Sequence, residues 1–158
     1  TALTIPEGVL GIEGYAFYHC TELVDIILPD GLMNIGEYAF ADCTKLKSVS
    51  LGNLTQIGDY AFANTALKQA PSFEHLTKIG AYAFSGSKLA EVTIPDGMVV
   101  GKGAFSECNS LASVKVGSNV TLGDDAFYLN PYANMEIQGE TLPEDVFTTV
   151  YFVTFKFS

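Results

Sequence analysis

The 158-residue chain carries 18 Asp and Glu against 8 Lys and no Arg, a formal charge of −10. That balance repels a phosphate backbone and lacks the clustered Lys and Arg on which nucleic-acid binding depends, so nucleic acid is not expected as a partner. No run of about 18 apolar residues occurs, so no membrane-spanning helix is expected either.

From the N-terminus, the alternating pair Leu3/Ile5 reads as a short strand with one buried face. The turn Pro6-Glu7-Gly8 ends it. Next come an aliphatic residue, Ile12, the pair Ala16-Phe17, a large apolar residue, Leu23, and a second alternating pair, Ile26/Leu28, closed by Pro29-Asp30-Gly31. The series then returns every 20–23 residues, marked by Ala39-Phe40, Ala61-Phe62, Ala83-Phe84, Ala104-Phe105, Ala126-Phe127 and the variant Val146-Phe147. An aliphatic residue precedes each Phe by five, at Ile35, Ile57, Ile79, Val100, Leu122 and Leu142, usually followed by Gly.

A short period sustained along a chain predicts a solenoid, in which each unit buries its apolar face only against its neighbours. All the strands occupy the same place in their units, so stacking predicts one parallel sheet of about eight short strands, about 34 Å wide. The segment Gly36-Glu37-Tyr38-Ala39-Phe40 and its equivalents predict one or two turns of helix opposite the sheet, held by packing rather than propensity. The fold class expected is an α/β repeat solenoid, as one domain over residues 1–158 and a segment of a longer protein. The fourth strand position reads Ala70-Pro71-Ser72-Phe73, and proline cannot donate to a ladder, so a bulge or break is expected near Pro71.

The unit from Leu23 to Leu46, L-x-x-I-x-L-P-x-G-x-x-x-I-G-x-x-A-F-x-x-C-x-x-L, resembles the BspA-like leucine-rich repeat, also described as the Treponema pallidum type. The resemblance covers essentially the whole chain. It implies a right-handed leucine-rich-repeat coil and a bacterial protein, extracellular or on the cell surface, used for adhesion or host interaction. It implies no enzyme and no cofactor. The chain departs from the pattern at Glu13-Gly14 in the first unit and at Asn130-Pro131-Tyr132 in the sixth.

Cys20, Cys43 and Cys108 share one repeat position, three residues after the Phe, with Thr65 and Ser87 near the same place. Buried thiols satisfying loop carbonyls are the expectation, all three reduced and protected; a Cys20–Cys43 disulfide is the alternative. No C-x-x-C or H-x-x-x-H occurs and His19 and His75 belong to different units, so no metal site is expected. Tyr15, Tyr38, Tyr60 and Tyr82 each precede the Phe by two and predict a stacked stripe, read as packing, with a sugar-binding surface as the alternative. His75 lies beside Glu74, but sequence adjacency does not supply a triad, and the acidic residues form no paired constellation.

The residues alternating with the buried strand pairs form two outward columns on the expected concave face. One contains Thr4, Ile27, Ser50, Pro71, Thr93, Lys115, Glu136 and Lys156; the other contains Ala2, Asp25, Ser48, Gln69, Glu91, Ser113, Asn134 and Thr154. From these, Asp25, Ser48, Ser50, Gln69, Glu91, Thr93, Lys115, Glu136 and Lys156 are the candidate binding residues, for a protein or a glycan on a host or neighbouring cell. Lys115, Glu136 and Lys156 should lie side by side, with Glu91 diagonal to Lys115. The terminal strand Phe152–Phe157 is a further candidate contact, as an apolar edge. A spacer that holds other domains away from the surface is the alternative function.

Overall fold

A computed structural model describes residues 1–130, 134–137 and 155–157. In chain order its strands are β1 (Ala2–Thr4), β2 (Gly11–Ile12), β3 (Asp25–Ile27), β4 (Asn34–Ile35), β5 (Ser48–Ser50), β6 (Gln56–Ile57), β7 (Lys78–Ile79), β8 (Glu91–Ile94), β9 (Val99–Val100), β10 (Ser113–Val116), β11 (Thr121–Leu122), β12 (Asn134–Ile137) and β13 (Phe155–Phe157). Every pairing among the described residues is parallel, and the chain winds as a β-solenoid of about six turns. Leu142 and Val146-Phe147 of the seventh unit lie outside the described residues.

The single eight-stranded sheet is not what forms. The period-two strands make two sheets, β1-β3-β5 and β8-β10-β12-β13, seven described strands in all. Between them the segment around Pro71 pairs with neither neighbour, as its missing N–H predicts. A further six-stranded sheet, β2-β4-β6-β7-β9-β11, runs unbroken past this point. It is built from the aliphatic residue five before each Phe and the residue ahead of it, a pair too short to show alternation in the sequence.

The helical turns are also corrected, for no helix forms among the described residues. Along Tyr38-Ala39-Phe40-Ala41-Asp42-Cys43 the N–H groups alternate in direction. Those of Tyr38, Phe40 and Asp42 donate to the carbonyls of Asp59, Ala61 and Ala63 in the next coil at 2.8, 2.8 and 2.9 Å. Those of Ala39, Ala41 and Cys43 close tight turns on the carbonyls three residues back, at 3.3, 3.2 and 3.3 Å. A helix would keep all its bonds within one coil. Sending every second N–H outward instead requires positive φ at Tyr38 (53°) and Asp42 (60°), and the same pair of positions turns left-handed in the neighbouring coils.

Close stacking fixes the glycines after the aliphatic anchor. A Cβ added at Gly58 would lie 2.7 Å from the Gly36 carbonyl carbon and 2.8 Å from the Glu37 nitrogen, and Gly36, Gly80, Gly101 and Gly123 face the preceding backbone in the same way. Inside the coil, Phe17, Phe40, Phe62, Phe84, Phe105 and Phe127 stack with centroids 5.1–5.5 Å apart and planes within 10°. Five of them are buried; Phe17, at the end of the column, is only partly covered. Flanking it are the buried columns Ile12, Ile35, Ile57, Ile79, Val100, Leu122 and Leu23, Leu46, Leu67, Leu89, Leu111.

The cysteine position is a column of buried donors. Cys43 Sγ donates to the Phe17 carbonyl at 3.1 Å and Cys108 Sγ to that of Phe84 at 3.2 Å. Thr65 Oγ1 serves the Phe62 carbonyl at 3.0 Å. Asn130, read in the sequence as a departure, donates from Nδ2 to the carbonyls of Phe105 and Phe127, both at 2.8 Å. All three cysteines are free thiols, though Cys20 is only half-buried. Burial pushes the thiols of Cys43 and Cys108 up to about 11, which withholds the reactive thiolate at neutral pH.

Four outcomes are expected. Phe62→Ala should lower the free energy of unfolding in urea by about 3–5 kcal/mol, and a loss below about 1 kcal/mol would place this ring outside the core. Gly58→Ala should destabilise by about 1–3 kcal/mol through overpacking against the preceding coil. Gly31→Ala, where the nearest atom to a new Cβ is 3.9 Å away, should change stability by less than about 0.5 kcal/mol. Ellman titration of the native protein should find Cys20 alone reactive, and three thiols after unfolding without reductant.

Candidate functional site

The strand face keeps the register that its sequence implies. Thr4 pairs with Ile27 and Ile27 with Ser50 in one column, Ala2 with Asp25 and Asp25 with Ser48 in the other. Beyond the break, Thr93, Lys115, Glu136 and Lys156 follow one another, as do Glu91, Ser113 and Asn134. Glu91 is accordingly diagonal to Lys115. The segment 152–154 of the expected terminal strand, Thr154 included, lies outside the described residues, and β13 is its described part.

These residues do not form one continuous site. On the N-terminal side Ser48 donates from Oγ to Asp25 Oδ1 at 2.7 Å, so two of the candidates engage each other. Ile27 stands 60 % exposed between Thr4 and Ser50, an apolar feature among hydroxyls. On the C-terminal side Lys115 and Glu136 are neighbours across β10 and β12, yet the salt bridge among the described residues is Lys45–Glu22 at 2.6 Å, elsewhere on the solenoid.

At the break two depressions open side by side. The larger, of about 500 Å³, is lined by the segment Gln69–Glu74 together with Glu91, Thr93 and Pro95. The smaller, of about 360 Å³, is lined by Lys47, Ser48, Val49 and the segment Lys68–Pro71. The break thus gathers Ser48, Gln69, Glu91 and Thr93 and leaves Asp25, Ser50, Lys115, Glu136 and Lys156 on the sheets either side. Sequence reading missed Lys47, Lys68 and Glu74, which sit outside the two columns; Pro71 was the available signal, since only a broken ladder brings flanking residues into the face.

The tyrosine stripe is a closed stack. Tyr15, Tyr38, Tyr60 and Tyr82 follow at centroid distances of 4.9, 4.6 and 4.9 Å with planes within 15°. Their inner faces cover one another, leaving Tyr15, 51 % exposed at the end, as the open ring, and sugar rings stack on faces, so packing is the reading that this geometry matches. Tyr18 meets Tyr15 edge-on at 5.7 Å. At the other end Gly103 closes the stack, because a Cβ there would run into the Tyr82 ring.

Comparison with known proteins agrees with this architecture. The crystal structure of a Treponema pallidum leucine-rich repeat protein is similar at 28 % identity with a TM-score of 0.68, over 83 % of this chain and 76 % of that one. A leucine-rich repeat protein from Eubacterium ventriosum matches at 29 % identity and a TM-score of 0.66, over 75 % of this chain and 32 % of that one. A leucine-rich cell surface protein from Faecalibacterium prausnitzii matches at 25 % identity and a TM-score of 0.66, over 89 % of this chain and 48 % of that one. The chain therefore spans a third to a half of the length of these last two. Among proteins of curated function, none matches. Six copies of the BspA type leucine rich repeat region are matched over residues 1–100 and 48–154, and the chain belongs to that family.

Proposed function

We propose that this solenoid is a non-enzymatic recognition module of a bacterial cell surface, which binds a protein on a host or neighbouring cell through its strand face. The observation that carries this reading is the charged patch beyond the break. Lys115 and Glu136 stand in register on adjacent strands without an ion pair to each other, and Lys115 is exposed to solvent. The likeness to leucine-rich cell-surface proteins supports the location. The face lacks the Trp, Tyr and Arg anchors of tight interfaces, so a single module binds modestly and gains strength by repetition.

A spacer role draws its support from the other half of the face, where Asp25 and Ser48 bond to each other and hydroxyls dominate. The two readings separate in a binding experiment with the labelled chain on intact epithelial and bacterial cells. Recognition predicts saturable binding that weakens with salt and is abolished by K115E/K156E at a nearly unchanged melting temperature. Absence of saturable binding to any of these surfaces would favour the spacer. Binding that survives the double reversal would move the interface away from the charged patch.

A further inference from the structure

A solenoid shows free strand edges only at its ends, because each internal strand is paired on both sides. This one shows two more inside. The loss of the strand at Pro71 leaves β5 and β8 as the facing edges of two separate sheets, about two strand spacings, or roughly 10 Å, apart. The intervening segment touches the β8 side once, where the Ala90 N–H donates to the Lys68 carbonyl at 3.0 Å, and from Gln69 onward it makes no backbone bond to either sheet. The larger depression opens between this segment and β8, with a volume of about 500 Å³ that suits a side chain and its backbone.

Its chemistry is one-sided. Glu74 and Glu91 line it, both exposed and neither in a salt bridge, together with the amide of Gln69 and the hydroxyls of Ser72 and Thr93. The buried ring of Phe73 and the rings of Pro71 and Pro95 supply apolar wall. The neighbouring depression carries the opposite charge, through Lys47 and Lys68. A cation is therefore drawn to one opening and repelled from the other.

We infer that the break is a docking cleft for an extended peptide segment of a partner protein, which pairs along the free edge of β8 and places a lysine or arginine side chain between Glu74 and Glu91. Main-chain bonds to an exposed edge give such a complex its affinity, and the pocket beneath gives it specificity. The assignment rests on the recognition reading above and adds to it a second contact, at the break one strand from Lys115, and the chemistry that contact selects.

The test uses two capped pentapeptides of alternating valine and threonine, one with lysine at the centre and one with glutamate, titrated into the isotopically labelled chain and followed by amide chemical shifts. The lysine peptide should move the amides of residues 69–74 and of β8, and the glutamate peptide should bind at least about tenfold more weakly. E74Q/E91Q replaces two exposed carboxylates and should keep the melting temperature while weakening the lysine peptide about tenfold or more. Shifts confined to β1 or β13, equal binding of the two peptides, an unaffected double variant, or no shifts at about 1 mM peptide would each overturn the assignment. If the chain binds cells but the lysine peptide fails at the break, the recognition reading stands and the cleft falls; if neither binds, both fall.

Discussion

The hydrogen bond between the backbones of successive coils is the constraint on which everything else depends. It joins Phe40 to Ala61, Phe62 to Ala83 and Phe84 to Ala104 at 2.7–2.8 Å, so the turn side is spaced as tightly as the strand side. Rings of successive phenylalanines must then stack at little more than 5 Å, and the residue after each aliphatic anchor has no room for a Cβ. Left-handed tyrosines follow from the same bonds. An L-residue in that region costs about 1–2 kcal/mol, and here the bond to the next coil and the stacked ring both oppose its release.

Buried carbonyls set the second requirement. Those of the phenylalanines turn inward; the backbone N–H three residues on serves Phe17, Phe40 and Phe84, and four coils add a compact side-chain donor at the same spot. Cys43 and Cys108 use a thiol, Thr65 a hydroxyl and Asn130 a carboxamide. Their chemical variety is narrow in the one property that matters, a compact donor that fits within the coil. The thiols are free although the coils approach closely, because Cys43 aims its sulfur at the Phe17 carbonyl and the neighbour of Cys108 in the preceding coil is Ser87 rather than a cysteine.

Much of this was legible in the sequence, and the misreadings have physical causes. The phenylalanine and aliphatic columns were evident because burial repeats at fixed spacing, and Pro71 announced the break because a missing N–H acts wherever it falls. The helix was misread because Tyr38 and Tyr60 do not advertise a left-handed backbone. The signal lay in the columns instead: Gly103 and Asp125 share the tyrosine position, and Asp42, Asn64 and Gly86 share the one four residues on, all residue types that tolerate positive φ. The six-stranded sheet escaped notice because two-residue strands such as Asn34–Ile35 carry no alternation. For the site, the outward columns were read in correct register, whereas Lys47, Lys68 and Glu74 entered the face only through the break.

The uninterrupted ladder opposite the break gives the column a mechanical character. Between the coils of Phe62 and Phe84 the six-stranded sheet continues and the rings remain stacked at 5.4 Å, while the strand face alone is cut. A rod fastened along one flank and slit along the other is not equally stiff in all directions. Its compliant mode is a flexure that widens the slit, with the intact ladder as the spine about which the two halves rotate. Traction along the solenoid would thus be felt first at Pro71, as a change in the gape of the strand face, before any coil is unwound.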